Sequence, residues 1–184
     1  MKKLLLLLII GLVTCTEYET DLDKINNFNK KNNYLKANMI SLHFMIETDD
    51  PADTDTSFAN LIKNLDLPVT AKGCKDGKYT GTSPQDAFDF YHQVELEIKD
   101  EKIISVKYDE YNDEGLSKRK NKIYGRQMAK EGTSPEAAYD KMQEMLKAKQ
   151  SLLEVDGVSG ATYSLYRFRY AVVIALIKAK MGIV

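Results

Sequence analysis

Histidine and cysteine are almost missing from this chain of 184 residues, which has two of each. His43, His92, Cys15 and Cys74 stand far apart, with no spacing of the kind that holds zinc or haem. No metal is therefore expected, and the isolated histidines read as solvated or core-edge residues. Charge of one sign is also lacking: 26 Lys and Arg face 27 Asp and Glu, dispersed along the chain. Without a basic field, nucleic acid is excluded as a partner. There is no glycine-rich nucleotide-binding motif, so the chain brings no hydride donor of its own, and no catalytic triad stands out. Long apolar runs are missing too. Leu4 to Val13 reaches only about half of the ~20 residues a spanning helix needs, and Ala171 to Ile177 is shorter still. What remains, 43% hydrophobic and 29% charged residues, is the composition of a soluble globular chain long enough for one ordinary domain and an appendage.

The first residues are specific. Lys2 and Lys3 precede the apolar run, which is the pattern of a secretory signal. The run ends in Leu12-Val13-Thr14-Cys15, which resembles the lipobox of bacterial lipoproteins, with Thr14 where Gly, Ala or Ser is usual. The resemblance implies cleavage before Cys15, its acylation, and anchoring to a membrane lipid outside the cytoplasm, in the cell envelope. The alternative is ordinary cleavage nearby, with Cys15 lost or paired with Cys74 in an oxidising compartment. Loss of the two leader lysines leaves 24 basic against 27 acidic residues, a charge of −3. Residues 16–71 read as a tether followed by a short helical appendage. Asn, Lys, Asp and Glu dominate up to about residue 34. Leu35 to Ile46 is more apolar, a short helix or strand, and a helix is expected from Ser57 as N-cap through Phe58, Leu61, Ile62 and Leu65, ending before Pro68.

From Lys72 the pattern becomes that of an α+β domain, spanning 72–182, in which a small antiparallel sheet packs against helices. Tyr91 to Lys99 alternates, with His92, Val94, Leu96 and Ile98 on one face. Asp100 and Glu101 make a turn, and Ile103 to Tyr108 returns with Ile104, Val106 and Tyr108 on one face, completing a hairpin. Asp109 to Asn121 reads as a polar loop. Helices follow over Ile123 to Lys130 and, with Ser134 as N-cap and Pro135 in the first turn, to about Lys149. The latter has an apolar side of Ala138, Met142, Met145 and the Lys149 stem, flanked by Tyr139 and Leu146. The last helix, about Thr162 to Lys180, has two adjoining stripes, one through Leu165, Phe168, Val172, Ala175 and Ala179, the other through Tyr166, Tyr170, Val173 and Ile177. It is expected to be the most buried.

Before the last helix stands Val155-Asp156-Gly157-Val158-Ser159-Gly160-Ala161-Thr162. Read on residue type alone, it is a turn and a helix start, in which Ser159 or Thr162 is a cap. Asp156, Ser159, Gly160, Ala161 and Thr162 also match the flavinylation signature Asp-x-x-Ser/Thr-Gly-Ala-Thr, and the chain resembles the bacterial FMN-binding domain family that carries it. That family includes flavin subunits of sodium-pumping NADH:quinone oxidoreductases and Rnf complexes, and lipoproteins of extracellular electron transfer. The resemblance covers roughly residues 72 to 182, through DGKYTG (Asp76 to Gly81), IKDEKIISVKYDE (Ile98 to Glu110) and the polar loop ending in Tyr124.

The resemblance implies that an FMN transferase uses FAD and a divalent metal to join FMN phosphate to the Thr162 hydroxyl. Asp156, Ser159, Gly160 and Ala161 then form the recognition loop, Asp156 being read by the transferase or ordering the loop. The chain is expected to relay electrons from a membrane donor to a downstream acceptor, as a carrier with no catalytic residues of its own. Tyr111, Lys118 and Tyr124 are candidates near the flavin, each also readable as surface or packing. Two other readings stand beside this one: a surface adhesin or scaffold that keeps the fold without flavin, and a reductase component fed by a partner.

Overall fold

Three strands and three helices make up the described part of the chain, residues 62–63, 66–86 and 88–183 of a computed structural model. The signal segment with Cys15, the tether, the Leu35–Ile46 segment and His43 lie outside the described residues. So does most of the helix expected from Ser57. Its end is visible: Leu67 N–H donates to the Ile62 carbonyl (3.0 Å) across Asp66 at φ 49°, a left-handed closure just before Pro68.

Strands β1 (Gly77–Thr82), β2 (Phe90–Lys99) and β3 (Lys102–Asn112) form one antiparallel sheet in the order β1-β2-β3. The β2–β3 hairpin turns on Asp100 (φ 50°) and Glu101 (φ 58°), the pair of positive φ angles that a two-residue hairpin loop uses to match strand twist. Asp76 and Glu101 fasten this turn to the preceding segment: Asp76 Oδ1 accepts from Asp100 N–H (2.9 Å) and Glu101 Oε1 accepts from Gly73 N–H (3.0 Å).

Two sequence expectations for β3 need correction. A bulge pairs Glu97 with Ser105 and Ile98 with Ile103, leaving Ile104 as the extra residue. Past a bulge the facing side reverses, so Ile103 enters the core and Ile104 is 39% exposed. The strand also runs on to Asn112, so Asp109 to Asn112 are not loop. Strand β1 was not foreseen at all. GKYTGT has two glycines and one large apolar side chain, Tyr79, so no alternating pattern announces it, and it forms because β2 supplies a full ladder.

Helices α1 (Lys122–Met128, running into a 3-10 turn over 129–131), α2 (Pro135–Lys149) and α3 (Thr162–Met181) follow. Ser134 caps α2 by accepting from Ala137 N–H, with Pro135 at its start, as read from the sequence. Its buried side is Ala138, Tyr139, Met142 and Leu146; Met145 is half-buried and Lys149 exposed, so the stripe lies a fraction of a turn away from the expected one. α3 buries twelve of its twenty residues, both expected stripes contributing, and packs on β1 and β2 while α2 packs on β3. Each fully buried aliphatic side chain of that layer contributes roughly 1.5–3 kcal/mol of transfer free energy. Among the described residues no helix is long and apolar enough to cross a membrane.

The outer edge of β3 is closed by side chains of α2 and its cap. Gln150 accepts from Ile103 N–H (2.8 Å) and donates to Ile103 C=O (2.9 Å), mimicking a neighbouring strand, and Gln143 accepts from Tyr108 N–H (2.7 Å). At the opposite edge, Lys178 of α3 donates to Thr80 C=O (2.7 Å).

Helix α3 meets β1 backbone to backbone at Gly81. A β-carbon there would overlap the Ala171 carbonyl oxygen and lie 2.7 Å from Ala175 N. Gly81→Ala is therefore expected to cost about 3 kcal/mol, the upper end for overpacking, because main chain cannot swing away as a side chain can. Gly125→Ala, inside α1 with only Pro135 Cδ at 3.9 Å, is expected to stabilise by up to about 1 kcal/mol. Urea unfolding of both variants checks the contrast.

Candidate functional site

The motif loop is hung on Val155 and Val158, both buried, while Asp156, Gly157, Ser159 and Gly160 are exposed. Arg169 of α3 donates to the Val155 carbonyl (3.0 Å), holding the loop against the helix it introduces. Ala161 N–H donates to Val158 C=O (2.9 Å), closing a four-residue turn whose third residue, Gly160, has φ 76°. A type II turn needs a positive φ at that place, which costs any other L-residue roughly 1–2 kcal/mol. Ala161 follows as the N-cap of α3 and is 3% exposed, so a small side chain fits it. Neither Ser159 nor Thr162 caps the helix, contrary to the reading on residue type alone. Having no side-chain oxygen, Ala161 leaves the first-turn N–H groups without a side-chain acceptor, and that turn contains no acidic residue. Thr162 is the first helical residue, and it is exposed. The start of α3 thus presents a hydroxyl beside backbone donors and the positive end of a twenty-residue helix, a place suited to a phosphate.

What holds this helix start is a buried polar group two residues further on. Ser164 Oγ donates to Glu110 Oε1 (2.7 Å), and Lys118 Nζ donates to Glu110 Oε2 (2.6 Å). Tyr108 Oη lies 3.1 Å from the Ser164 carbonyl oxygen, 3.2 Å from Glu110 Oε1 and 2.7 Å from His92 Nδ1. His92 Nε2 lies 3.2 Å from Asp86 Oδ2, and Asp86 Oδ1 accepts from Phe88 N–H (2.8 Å) and Phe90 N–H (2.9 Å). The Tyr108 ring also meets Tyr139 of α2 at 4.7 Å and Phe168 of α3 at 5.0 Å, both edge to face, joining all three layers.

Burial pushes the Glu110 carboxyl up, but the charges of His92 and Lys118 and hydrogen bonds from Lys118 and Ser164 outweigh it and hold it below the ordinary glutamate value. Asp86 is likewise raised by burial and brought well below its ordinary value by His92 and the Phe90 and Phe88 amides. Burial, with the Glu110 charge, keeps the Tyr108 phenol neutral far above its usual range. Asp86, His92 and Glu110 place three ligand-type atoms within 4.8 Å of one another, yet the Lys118 ammonium, 2.6 Å from Glu110 and 3.9 Å from Asp86, already stands where a cation would.

His92 is therefore neither solvated nor at the core edge. It is 2% exposed and hydrogen-bonded within the sheet's inner face. Its alternation with Val94, Leu96 and Ile98 was the available signal, and Glu110 follows Tyr108 on the same face of β3. Of the three residues suspected near the flavin, Lys118 and Tyr124 come together, with Nζ 4.6 Å from the Tyr124 ring centroid. Tyr111 points to the other face. It lines a polar concavity of about 370 Å³ with Gln93, Glu95, Lys107, Arg119 and Gln143, apart from the motif loop.

The family model of the FMN-binding domain matches residues 91–177. The crystal structure of the CPE2226 protein from Clostridium perfringens is 30% identical, with a TM-score of 0.55, and the match covers 59% of this chain and 91% of that one. No curated protein matches. FMN is accordingly the cofactor, and the residues present fit it: an uncapped helix N-terminus suits its phosphate, and exposed aromatic side chains suit its ring system.

The depressed Asp86 and Glu110 carboxyls stabilise the fold fully above their unfolded values and lose that contribution as pH falls through their folded ones. Urea unfolding is expected to show constant stability near neutral pH and a decline below about pH 4.5. Glu110→Gln should lower neutral stability by about 2 kcal/mol, since Lys118 loses its charged partner at 2.6 Å and keeps only the Asp86 carboxylate at 3.9 Å, and should flatten the acid decline.

Proposed function

The chain belongs to the FMN-binding domain family, and we propose that it carries FMN covalently on Thr162 and relays electrons as a lipid-anchored protein outside the cytoplasm. The observation that carries this reading is the exposed threonine at the open start of α3, inside the Asp156 to Thr162 signature. In the attachment, a bond forms between Thr162 Oγ and the FMN-side phosphorus of FAD while the pyrophosphate bond breaks. AMP leaves, and the threonine proton passes to solvent or to the leaving phosphate. The transferase and its divalent metal supply the catalysis. Gly160 gives the turn that lifts the hydroxyl out of the core, Ala161 takes the small buried place behind it, and the helix N–H groups stabilise the resulting phosphodiester anion. Ser159 and Asp156, both exposed, are available to a transferase approaching the loop.

A covalent link suits an exported chain, because flavin lost outside the cytoplasm is diluted and not replaced. Bound FMN supplies the redox chemistry, and the protein supplies position and electrostatics. The donor is a membrane dehydrogenase or quinol, and the acceptor a further carrier or reductase. Cys15, acylated, keeps the domain near both.

Co-expression with an FMN transferase should give a yellow protein whose denatured mass is raised by one FMN less water, and Thr162→Ala should abolish the increment. Flavin that washes out of an unmodified polypeptide on denaturation would overturn the covalent assignment. Separately, Cys15→Ser should release the chain from carbonate-washed membranes; equal retention would overturn the anchor.

A further inference from the structure

Three aromatic rings converge on one ammonium beside the start of α3. Lys118 Nζ lies 4.6 Å from the ring centroid of Tyr124, 4.8 Å from that of Phe90 and 5.8 Å from that of Phe88. Phe88 is 71% exposed and Leu116, joined to the strand end by the bond from Asn112 N–H, is 58% exposed. Tyr163, the neighbour of Thr162, is 69% exposed. Phe88, exposed while its ring faces the Lys118 ammonium, offers an uncovered aromatic surface beside the Lys118–Glu110 ion pair.

We propose that the isoalloxazine ring of FMN seats against Phe88, Phe90 and Tyr124, the aromatic walls around Lys118. This rests on attachment of the phosphate at Thr162. The two places are joined by a short chain of contacts: Thr162 precedes Ser164 by two residues on the first turn of α3, Ser164 Oγ bonds Glu110 Oε1, and Glu110 Oε2 bonds Lys118 Nζ. The flexible ribityl chain is the link between phosphate and ring. Aromatic walls favour a planar heteroaromatic ring through offset and edge contacts. The Lys118 cation holds Phe90 and Tyr124 in place through their ring faces, and the Asp86 carboxylate, accepting from the Phe88 and Phe90 N–H groups, fixes the entry into β2 that carries two of the walls. The polar concavity along β3 and α2 is a poorer seat. Lys107, Asp109 and Arg119 line it on the outward side of the sheet, whereas Glu110 faces inward toward Ser164.

The test uses the full chain flavinylated by its transferase, in the wild type and in Phe88→Ala, Tyr124→Leu and Tyr111→Leu. Denatured mass reports attachment, and flavin fluorescence and visible circular dichroism report the seat. Phe88 is exposed, so its replacement keeps the fold, checked by far-ultraviolet dichroism and thermal unfolding. All variants should keep the mass increment. Tyr124→Leu should raise flavin fluorescence severalfold, because contact with a phenol quenches it, and both wall variants should lose flavin dichroism and gain quenching by iodide. Tyr111→Leu should match the wild type. Full attachment with wild-type fluorescence and dichroism in both wall variants overturns the seat alone. Altered spectra confined to Tyr111→Leu move the ring to the outer concavity and also overturn it. A wild type without the increment overturns attachment, and the seat with it.

Discussion

A carboxylate with no access to water must be surrounded by donors or give up its charge, and Glu110 is 0% exposed. Lys118 from the loop after β3 and Ser164 from the first turn of α3 both donate to it, and the Tyr108 hydroxyl beside it reaches His92 on β2. One buried charge therefore dictates where three separate chain segments meet. A helix end that would otherwise fray is fixed to the sheet, and the exposed Thr162 two residues earlier inherits a defined position. The exposed start of α3 can stay uncapped by any side chain because its first turn is held from below.

The other end of that helix is fixed by a different means. Gly81 lets the α3 backbone lie directly on β1 at Ala171 and Ala175, and Lys178 ties the helix to Thr80 at the sheet edge. Close backbone approach sets the depth of the helix, and the Ser164–Glu110 bond sets where its first turn lies. Together they leave α3 little freedom to slide, so the exposed Thr162 at its first position stays on the same surface. For a domain that binds FMN that constancy matters, because the protein's contribution to flavin chemistry is position and local charge.

Much of this was legible in the order of residues. The α+β class, the β2–β3 hairpin with its Asp100–Glu101 turn, the capping of α2 by Ser134 and the burial of α3 all follow from period, turn chemistry and caps, which are local. The turn and helix start over Asp156 to Thr162 were legible for the same reason, although the cap is Ala161 and not Ser159 or Thr162. The bulge that exchanges Ile103 for Ile104 was not legible, since it depends on how the partner strand pairs. Strand β1 escaped because its place is granted by β2 and by α3 above it. The polar group around Glu110 escaped because polar residues at inward positions look like loop until their partners, far apart in sequence, are brought together.

The sequence by itself determined where the last helix starts and which local conformation leaves Thr162 exposed there, since turns and helix starts are decided by neighbours a few residues apart. Only the tertiary structure decided what supports that residue and what surrounds it. Ser164, Glu110, Lys118 and Tyr108 span more than fifty positions of the chain, and the free energy that joins them, desolvated charge met by donors, exists only after the sheet and the last helix have excluded water between them.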